Sequence, residues 1–310
     1  MSVITVGAAQ LGPIARAESR SAVVKRLVAH LQEARARGCD LVVFPELALT
    51  TFFPRWALDA PAELDTFFER RMPGPETQPL FDEARRLGLA FCLGYAELAT
   101  EGGSVRRYNT AILVDPAGRI VGKYRKVHLP GHAEVEPWRP FQHLEKRYFD
   151  VGDLGFGVWR LLGGLIGMCL CNDRRWPETY RVMGLQGVEM VLLGYNTPVH
   201  NPPAPEHDAL ANFHNALVMQ AGAYQNGTWV VGVAKCGREE GVDQIGQSQI
   251  IAPSGETVAM AATLGDELVV ARCDLGLCRS YKSTVFDFAR HRRPEHYGLI
   301  VERTGASPPP

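Results

Sequence analysis

The sequence predicts an α/β protein whose polar chemistry gathers at the ends of its strands. Short apolar runs of strand length recur at residues 4–8, 41–44, 89–95, 165–170 and 188–193, with stretches of helical apolar spacing between several of them. Three of these runs end abruptly in polar groups, at Pro45-Glu46, at Cys171-Asn172-Asp173 and at Asn196-Thr197-Pro198. No Pro/Gly/Ser-rich linker divides the 310 residues. At that length, near the upper size for a single core, the chain could equally be one large domain or two closely joined ones; residues 1–310 are read as one domain, with about 290–310 as a C-terminal arm.

A formal charge of −1 gives no electrostatic bias towards polyanions, which argues against nucleic acid as a partner. The N-terminus lacks a basic region followed by an apolar core, and nowhere do about 18 apolar residues run together. Neither a leader nor a membrane contact is expected, and the protein is read as cytoplasmic. Seven cysteines, an odd number scattered singly or within apolar runs, do not suit a disulfide framework, so reduced thiols are expected.

Residues 4–8 suit an inner strand. Val24, Leu27, Val28, Leu31 and Ala34 recur at helical spacing and Gly38 supplies a stop, which gives an amphipathic helix over about 20–37. The strand at 41–44 ends at Pro45, because proline cannot donate to a sheet ladder, and Glu46 is left at its C-terminal edge. Helical patterns around 62–70 and 76–87 lead into the strand at 89–95. Residues 111–114 and 120–124 flank the turn Asp115-Pro116-Ala117-Gly118 and form a hairpin. The hairpin runs on into Lys123, Arg125 and Lys126. Alternation sets Arg125 and Lys126 on opposite faces, so one of the two must point inward.

Residues 130–155 are irregular and rich in Pro, Gly, His and aromatics. A loop of that length in a compact domain is usually functional, and His132, Trp138, His143, Glu145, Lys146 and Tyr148 are plausible walls for a polar pocket. A hairpin turning at Gly163-Gly164 delivers the strand at 165–170 and then Cys171, and Pro177 opens a helix to about 186. After the strand at 188–193 come a helix over about 207–224 and strands near 228–234, 246–252, 256–261 and 267–272.

Cys171 thus falls at a turn between strand and helix, where the N–H groups of a helix start favour thiolate and can hold an oxyanion. Taken alone, it is equally a small core residue. Glu46 alone suits a surface loop, and the Lys123–Lys126 cations suit an edge strand. Together, Glu46, Lys126 and Cys171 lie at or just beyond strand ends, and strand ends in layered α/β architectures converge on one rim. A carboxylate there can take a thiol proton and later activate water, an ammonium can hold thiolate and oxyanion, and the thiol can attack an electrophilic carbon. Cys169 is read as core. His200, His207 and His214 have no carboxylate or cysteine at ligand spacing, and Gly152, Gly155 and Gly157 lack dinucleotide-binding spacing, so neither a metal nor a cofactor is expected.

Val43-Phe44-Pro45-Glu46-Leu47, Tyr124-Arg125-Lys126-Val127-His128-Leu129 and Cys171-Asn172-Asp173-Arg174-Arg175-Trp176-Pro177-Glu178 resemble, in the right order, the three signature segments of the nitrilase or carbon-nitrogen hydrolase superfamily. The last of these, with the segments at 128–132, 140–149 and 194–198, most closely resembles the branch that hydrolyses N-carbamoyl-D-amino acids. Many members of the superfamily have Tyr where this chain has Asn172. The likeness spans nearly the whole chain. It implies a four-layer α-β-β-α sandwich, a homodimer or homotetramer, and Glu46, Lys126 and Cys171 as a catalytic triad. It also implies that Glu145 steadies Lys126, that His128 and His143 line the site, and that Asn172, Arg174, Arg175, Asn196 and Thr197 contact a small substrate bearing a carboxylate. The activity implied is hydrolysis to D-amino acid, ammonia and carbon dioxide through a cysteine acyl-enzyme. An amidase or nitrilase for another small C–N substrate, or a non-catalytic binding protein with this fold, is the alternative. A guanidinium fork suits a carboxylate ligand, but Arg174 and Arg175 could instead pair with Asp173 or Glu178.

Overall fold

The computed structural model describes residues 2–308. Its strands are β1 (Val3–Gln10), β2 (Leu41–Val43), β3 (Ala90–Glu101), β4 (Ser104–Val114), β5 (Ile120–Arg125), β6 (Val158–Leu161), β7 (Gly164–Leu170), β8 (Met190–Tyr195), β9 (Trp229–Ala234), β10 (Cys236–Glu239), β11 (Val242–Ile245), β12 (Gln249–Ile251), β13 (Thr257–Met260) and β14 (Glu267–Asp274). The helices that matter here are α1 (Arg20–Ala36), α2 (Pro61–Asp65), α3 (Gln78–Leu87), α4 (Glu145–Tyr148), α5 (Pro177–Leu185) and α6 (Ala211–Asn226). One six-stranded sheet runs β14-β1-β2-β3-β4-β5 and the other β13-β12-β9-β8-β7-β6, with β10 and β11 as a separate hairpin.

Strand periodicity builds the layers. Ile4, Val6 and Ala8 face the second sheet and share a core with Ile166, Met168 and Leu192, whereas Ala9, Val42, Phe91 and Ile112 face outward beneath α1 and α3. Cys92 Sγ and Met168 Sδ meet across the sheets at 3.6 Å. Met219 and Ala223 of α6 and Tyr180 and Met183 of α5 cover the far side of the second sheet. This is the α-β-β-α sandwich. A buried Val, Leu or Phe contributes about 1.5–3 kcal/mol by leaving water, so a one-residue slip, which exchanges the two faces, is strongly disfavoured.

Strand direction then sets where the chemistry lies. β1, β2 and β3 are parallel, as are β7, β8 and β9, and two antiparallel steps through β4 align β5 with β3. Leu11 bridges the sheets at this end, donating to Ala234 O at 3.1 Å and accepting from Cys236 N at 2.9 Å. The C-terminal ends of β2, β5, β7 and β8 therefore open on one rim.

Several elements depart from the sequence expectations. The helix expected over 62–70 ends at Asp65, because Phe67 and Phe68 join an aromatic cluster with Phe53 and Phe149, and Glu69 hydrogen-bonds along β3. The β10–β11 hairpin was not expected, since its polar sequence carries little strand patterning. Arg125 and Lys126 do take opposite faces, yet both are buried, because Glu97 and Asp153 cover Arg125 while Lys126 turns into the interior. The C-terminal arm is not extended throughout: residues Phe288–His291 and Gly298–Glu302 are helical, and the Phe288 ring packs 4.2 Å from the Arg181 guanidinium of α5. No described helix is long and apolar enough to cross a membrane.

Candidate active site

Pro45 ends β2 and sends the next peptide between the two sheets. A Cβ added at Gly94 of β3 would lie 2.6 Å from Pro45 O, and one at Gly194 of β8 would lie 2.3 Å from Glu46 N. Only glycine on both sides lets this segment through. Glu46 is thereby fully buried. Its Oε1 accepts from Lys126 Nζ at 2.7 Å and Asn109 Nδ2 at 2.8 Å, and its Oε2 accepts from the N and Nδ2 of Asn196 at 3.0 and 3.1 Å.

Lys126 follows β5, its N–H donating to Asn109 O at 2.8 Å. Its ammonium also reaches Glu145 Oε2 at 2.6 Å, and the other Glu145 oxygen meets His143 Nε2 at 3.1 Å. Burial opposes the lysine charge, but Cys171, Glu145 and Glu46 outweigh it and raise the lysine pKa above its ordinary value. Burial likewise pushes Glu145 upward, yet Lys126 and His143 prevail and hold it below the usual carboxylate range. The cluster thus keeps an ammonium charged out of water.

Cys171 stands at the end of β7 with φ +47°, a left-handed conformation uncommon for a non-glycine residue and frequent where a nucleophile is presented. It opens a 3-10 turn, Cys171–Arg175, before α5 begins at Pro177. Burial, then the Glu46 charge, push its thiol up to about 11 against the opposing pull of Lys126 and Arg174. The expected thiolate is therefore not the resting form. A base is required, and Glu46 is close: oxygens of Glu46 and Glu145 and the Cys171 sulfur all lie within 4.8 Å of one another.

Three such groups could ligate a cation, but the Lys126 ammonium lies between the two carboxylates and supplies positive charge there. Exhaustive chelation should consequently leave turnover unchanged, while a thiol-alkylating agent removes it. Chelator-sensitive activity restored by added zinc would reverse that expectation.

A cavity of about 380 Å³ opens from Cys171 to solvent. Asn172, Arg175, Asn196, Thr197 and His143 line it near the sulfur, and Phe141, His200 and His207 form its outer wall. Among the described residues, no Asp or Glu carboxylate lines it. The Arg175 guanidinium makes no hydrogen bond or ion pair with the described residues. Although the residue as a whole is exposed, desolvation in the wall and the neighbouring Arg174 charge lower its pKa below the ordinary arginine value.

Other sequence expectations land elsewhere. Arg174, only 1% exposed, does not face the cavity: its guanidinium donates to Cys171 O at 2.6 Å, Thr197 Oγ1 at 2.8 Å and Asn215 Oδ1 at 3.0 Å, above the Tyr195 ring. It braces the nucleophile turn. His128 is also outside the lining, stacked on Trp176 at 5.0 Å with Nδ1 2.8 Å from Asp173 Oδ1. Neither arginine pairs with Asp173, which holds Leu170 N, Tyr124 Oη and His128 N. Of the loop residues expected to wall the pocket, His143 does so, whereas Tyr148 is buried against Phe53, Trp138 and Lys146 are exposed, and His132 bonds Gln142. Asn109 and Asp173 were missed. An asparagine within a strand is out of keeping with strand preferences, and that was the available signal for Asn109.

Residues 5–283 match the family model described as carbon-nitrogen hydrolase. The chain belongs to that family. This carbon-nitrogen hydrolase is 32% identical over 268 residues to a nitrilase of Pyrococcus abyssi, covering 86% of this chain and 89% of the relative. It is 29% identical to an N-carbamoylputrescine amidase of Solanum lycopersicum, over 99% of this chain and 97% of that one. A solved carbon-nitrogen hydrolase from Helicobacter pylori G27 superposes with a TM-score of 0.81 at 22% identity, covering 97% and 99% of the two chains, which establishes the shared fold. The family and these relatives mark the hydrolase as acting on carbon–nitrogen bonds of the amide type.

Proposed function

We propose that the protein hydrolyses N-carbamoyl-D-amino acids. The observation that carries this reading is Arg175, whose guanidinium has no partner among the described residues and lies next to the nucleophile in a cavity wall that none of their Asp or Glu side chains lines. A guanidinium so placed binds a carboxylate through two parallel charge-assisted hydrogen bonds. With that carboxylate held, the ureido carbon of the same molecule comes to face Cys171 Sγ. The relatives named for N-carbamoylputrescine point to the same carbamoyl group, but a carbamoylated amine offers no carboxylate to an arginine.

In this reading Glu46 takes the Cys171 proton as sulfur forms its bond to the ureido carbon, and Lys126 stabilises the negative charge arriving on oxygen. Collapse breaks a C–N bond, and the departing nitrogen takes the proton from Glu46. Water, deprotonated by Glu46, then adds to the thiocarbamoyl carbon; the C–S bond breaks as the Glu46 proton returns to sulfur, and the carbamic acid released splits its remaining C–N bond to give carbon dioxide. The sum is one carbamoyl acid and one water giving amino acid, ammonia and carbon dioxide, whichever nitrogen leaves first. The choice of D over L rests on the likeness of segments 128–132, 140–149, 171–178 and 194–198 to the enzymes of that branch.

Ammonia release from paired D- and L-N-carbamoyl amino acids tests the proposal. The D series should turn over and the L series should not. Equal rates for both, or faster release from simple amides or nitriles, would replace it with a general amidase or nitrilase.

A further inference from the structure

Asn109 sits in β4, 1% exposed and outside the cavity lining, yet it touches both arms of the buried charge cluster. Its Nδ2 donates to Glu46 Oε1 at 2.8 Å, and its carbonyl accepts the Lys126 N–H at 2.8 Å. Sheet pairing does not call for an amide here, since its partner across β3 is Ala96. The Asn109 Oδ1 has no partner among the described residues. Turning the amide over would set that oxygen against a carboxylate, so the Glu46 charge fixes its orientation. A half-satisfied amide in a buried strand works against stability and marks a place where something other than packing decides the residue.

A carboxylate offers about four lone-pair sites, and Glu46 receives four hydrogen bonds. To accept the thiol proton it must release one of them. Oε1 holds the ammonium at 2.7 Å and the Asn109 amide at 2.8 Å. Oε2 holds only the neutral, longer bonds from Asn196, whose Nδ2 has a second acceptor in Glu46 O at 2.9 Å. The Cys171 sulfur touches the residue that holds Oε2, 3.4 Å from Asn196 O.

We propose that Asn109 is a positioning residue: with Lys126 it pins Oε1, so that Oε2 exchanges its Asn196 amide bond for the proton of the thiol and later for that of water. The S–H bond breaks, the O–H bond forms at Oε2, and the electron pair stays on sulfur for attack. This assignment rests on Glu46 being the base.

Asn109→Leu, Asn109→Ala and Asn109→Asp are compared by kcat, KM and thermal melting, with Glu46→Gln as control. Loss of a hydrogen bond to a charged group should lower kcat by about 10- to 100-fold in both the Leu and Ala variants, with KM within about twofold, although the two differ in packing. Asn109→Asp should be slower still at neutral pH, because a second carboxylate against Glu46 competes for its proton. The assignment fails if the Leu variant keeps wild-type kcat, if Leu and Ala lose kcat in proportion to their melting temperatures, or if Asp outperforms Leu. Should Leu and Asp not fold, Ala decides alone, with wild-type kcat counting against. An active Glu46→Gln enzyme would overturn the base itself. An inactive Glu46→Gln beside a normal Asn109→Leu would overturn only the role of Asn109.

Discussion

Cys171→Ala abolishes turnover, whereas Cys169→Ala retains most of it. Both sulfurs are buried in the sense of solvent contact, but only Cys171 reaches the cavity, while Cys169, next to Met168 on β7, faces the opposite side of the sheet, in the apolar core with Tyr180 and Met183 of α5. Equal loss in both variants with folding intact would refute the nucleophile assignment. Glu46→Gln is expected to be nearly as damaging, since an amide cannot take the proton of a thiol that burial keeps protonated at neutral pH. General-base assistance is worth about 10²- to 10⁴-fold, so a residual rate above roughly a tenth of wild type would make Glu46 a structural carboxylate. Circular dichroism and melting temperature establish that each variant still folds.

Arg175→Ala cripples kcat/KM for an N-carbamoyl amino acid and barely alters that for a carboxylate-free alkylurea. Removing one partner of a desolvated charge pair costs about 2–5 kcal/mol, and a guanidinium partly open to water belongs at the lower end, roughly 30-fold or somewhat more. Arg174→Ala should behave differently. It strips partners from Cys171 O, Asn215 and Thr197, so both substrates lose rate together and the melting temperature falls with them. The two substrates measured on the two variants separate an anchor from a brace. If each variant loses the same factor on both substrates, neither arginine holds the carboxylate.

Much of this was legible in the chain itself. Apolar runs of strand length ending in Pro45-Glu46, Cys171 and Asn196 placed the polar groups on one rim, because strand ends are where a layered sheet must stop burying its side chains. The order of the layers and the roles of single residues came from the resemblance. What the sequence hid was local. Arg174 and Arg175 are indistinguishable as letters, but the turn after β7 is 3-10, where residues three apart eclipse, so Arg174 stacks over Cys171 and Arg175 turns to the cavity. The thiolate expected from a turn close to a helix start gave the helix N–H groups the deciding role, whereas α5 begins at Pro177 as expected and burial, the largest influence, governs the thiol instead. The clamp of Gly94 and Gly194 on the Glu46 segment was equally invisible, since it joins residues from two different sheets.

That clamp bears on how the molecule is assembled. Glu46 and Lys126 belong to the first sheet and Cys171 to the second, and Pro45-Glu46 passes between Gly94 of one and Gly194 of the other. Neither half of the chain owns a site. During refolding each sheet can form its own pairings, but the sulfur meets its base only when two separately built faces close on one another, after the costly long-range loops are shut. Recovery of activity is therefore a clock for the docking of the sheets, and it should lag the recovery of secondary structure within either one.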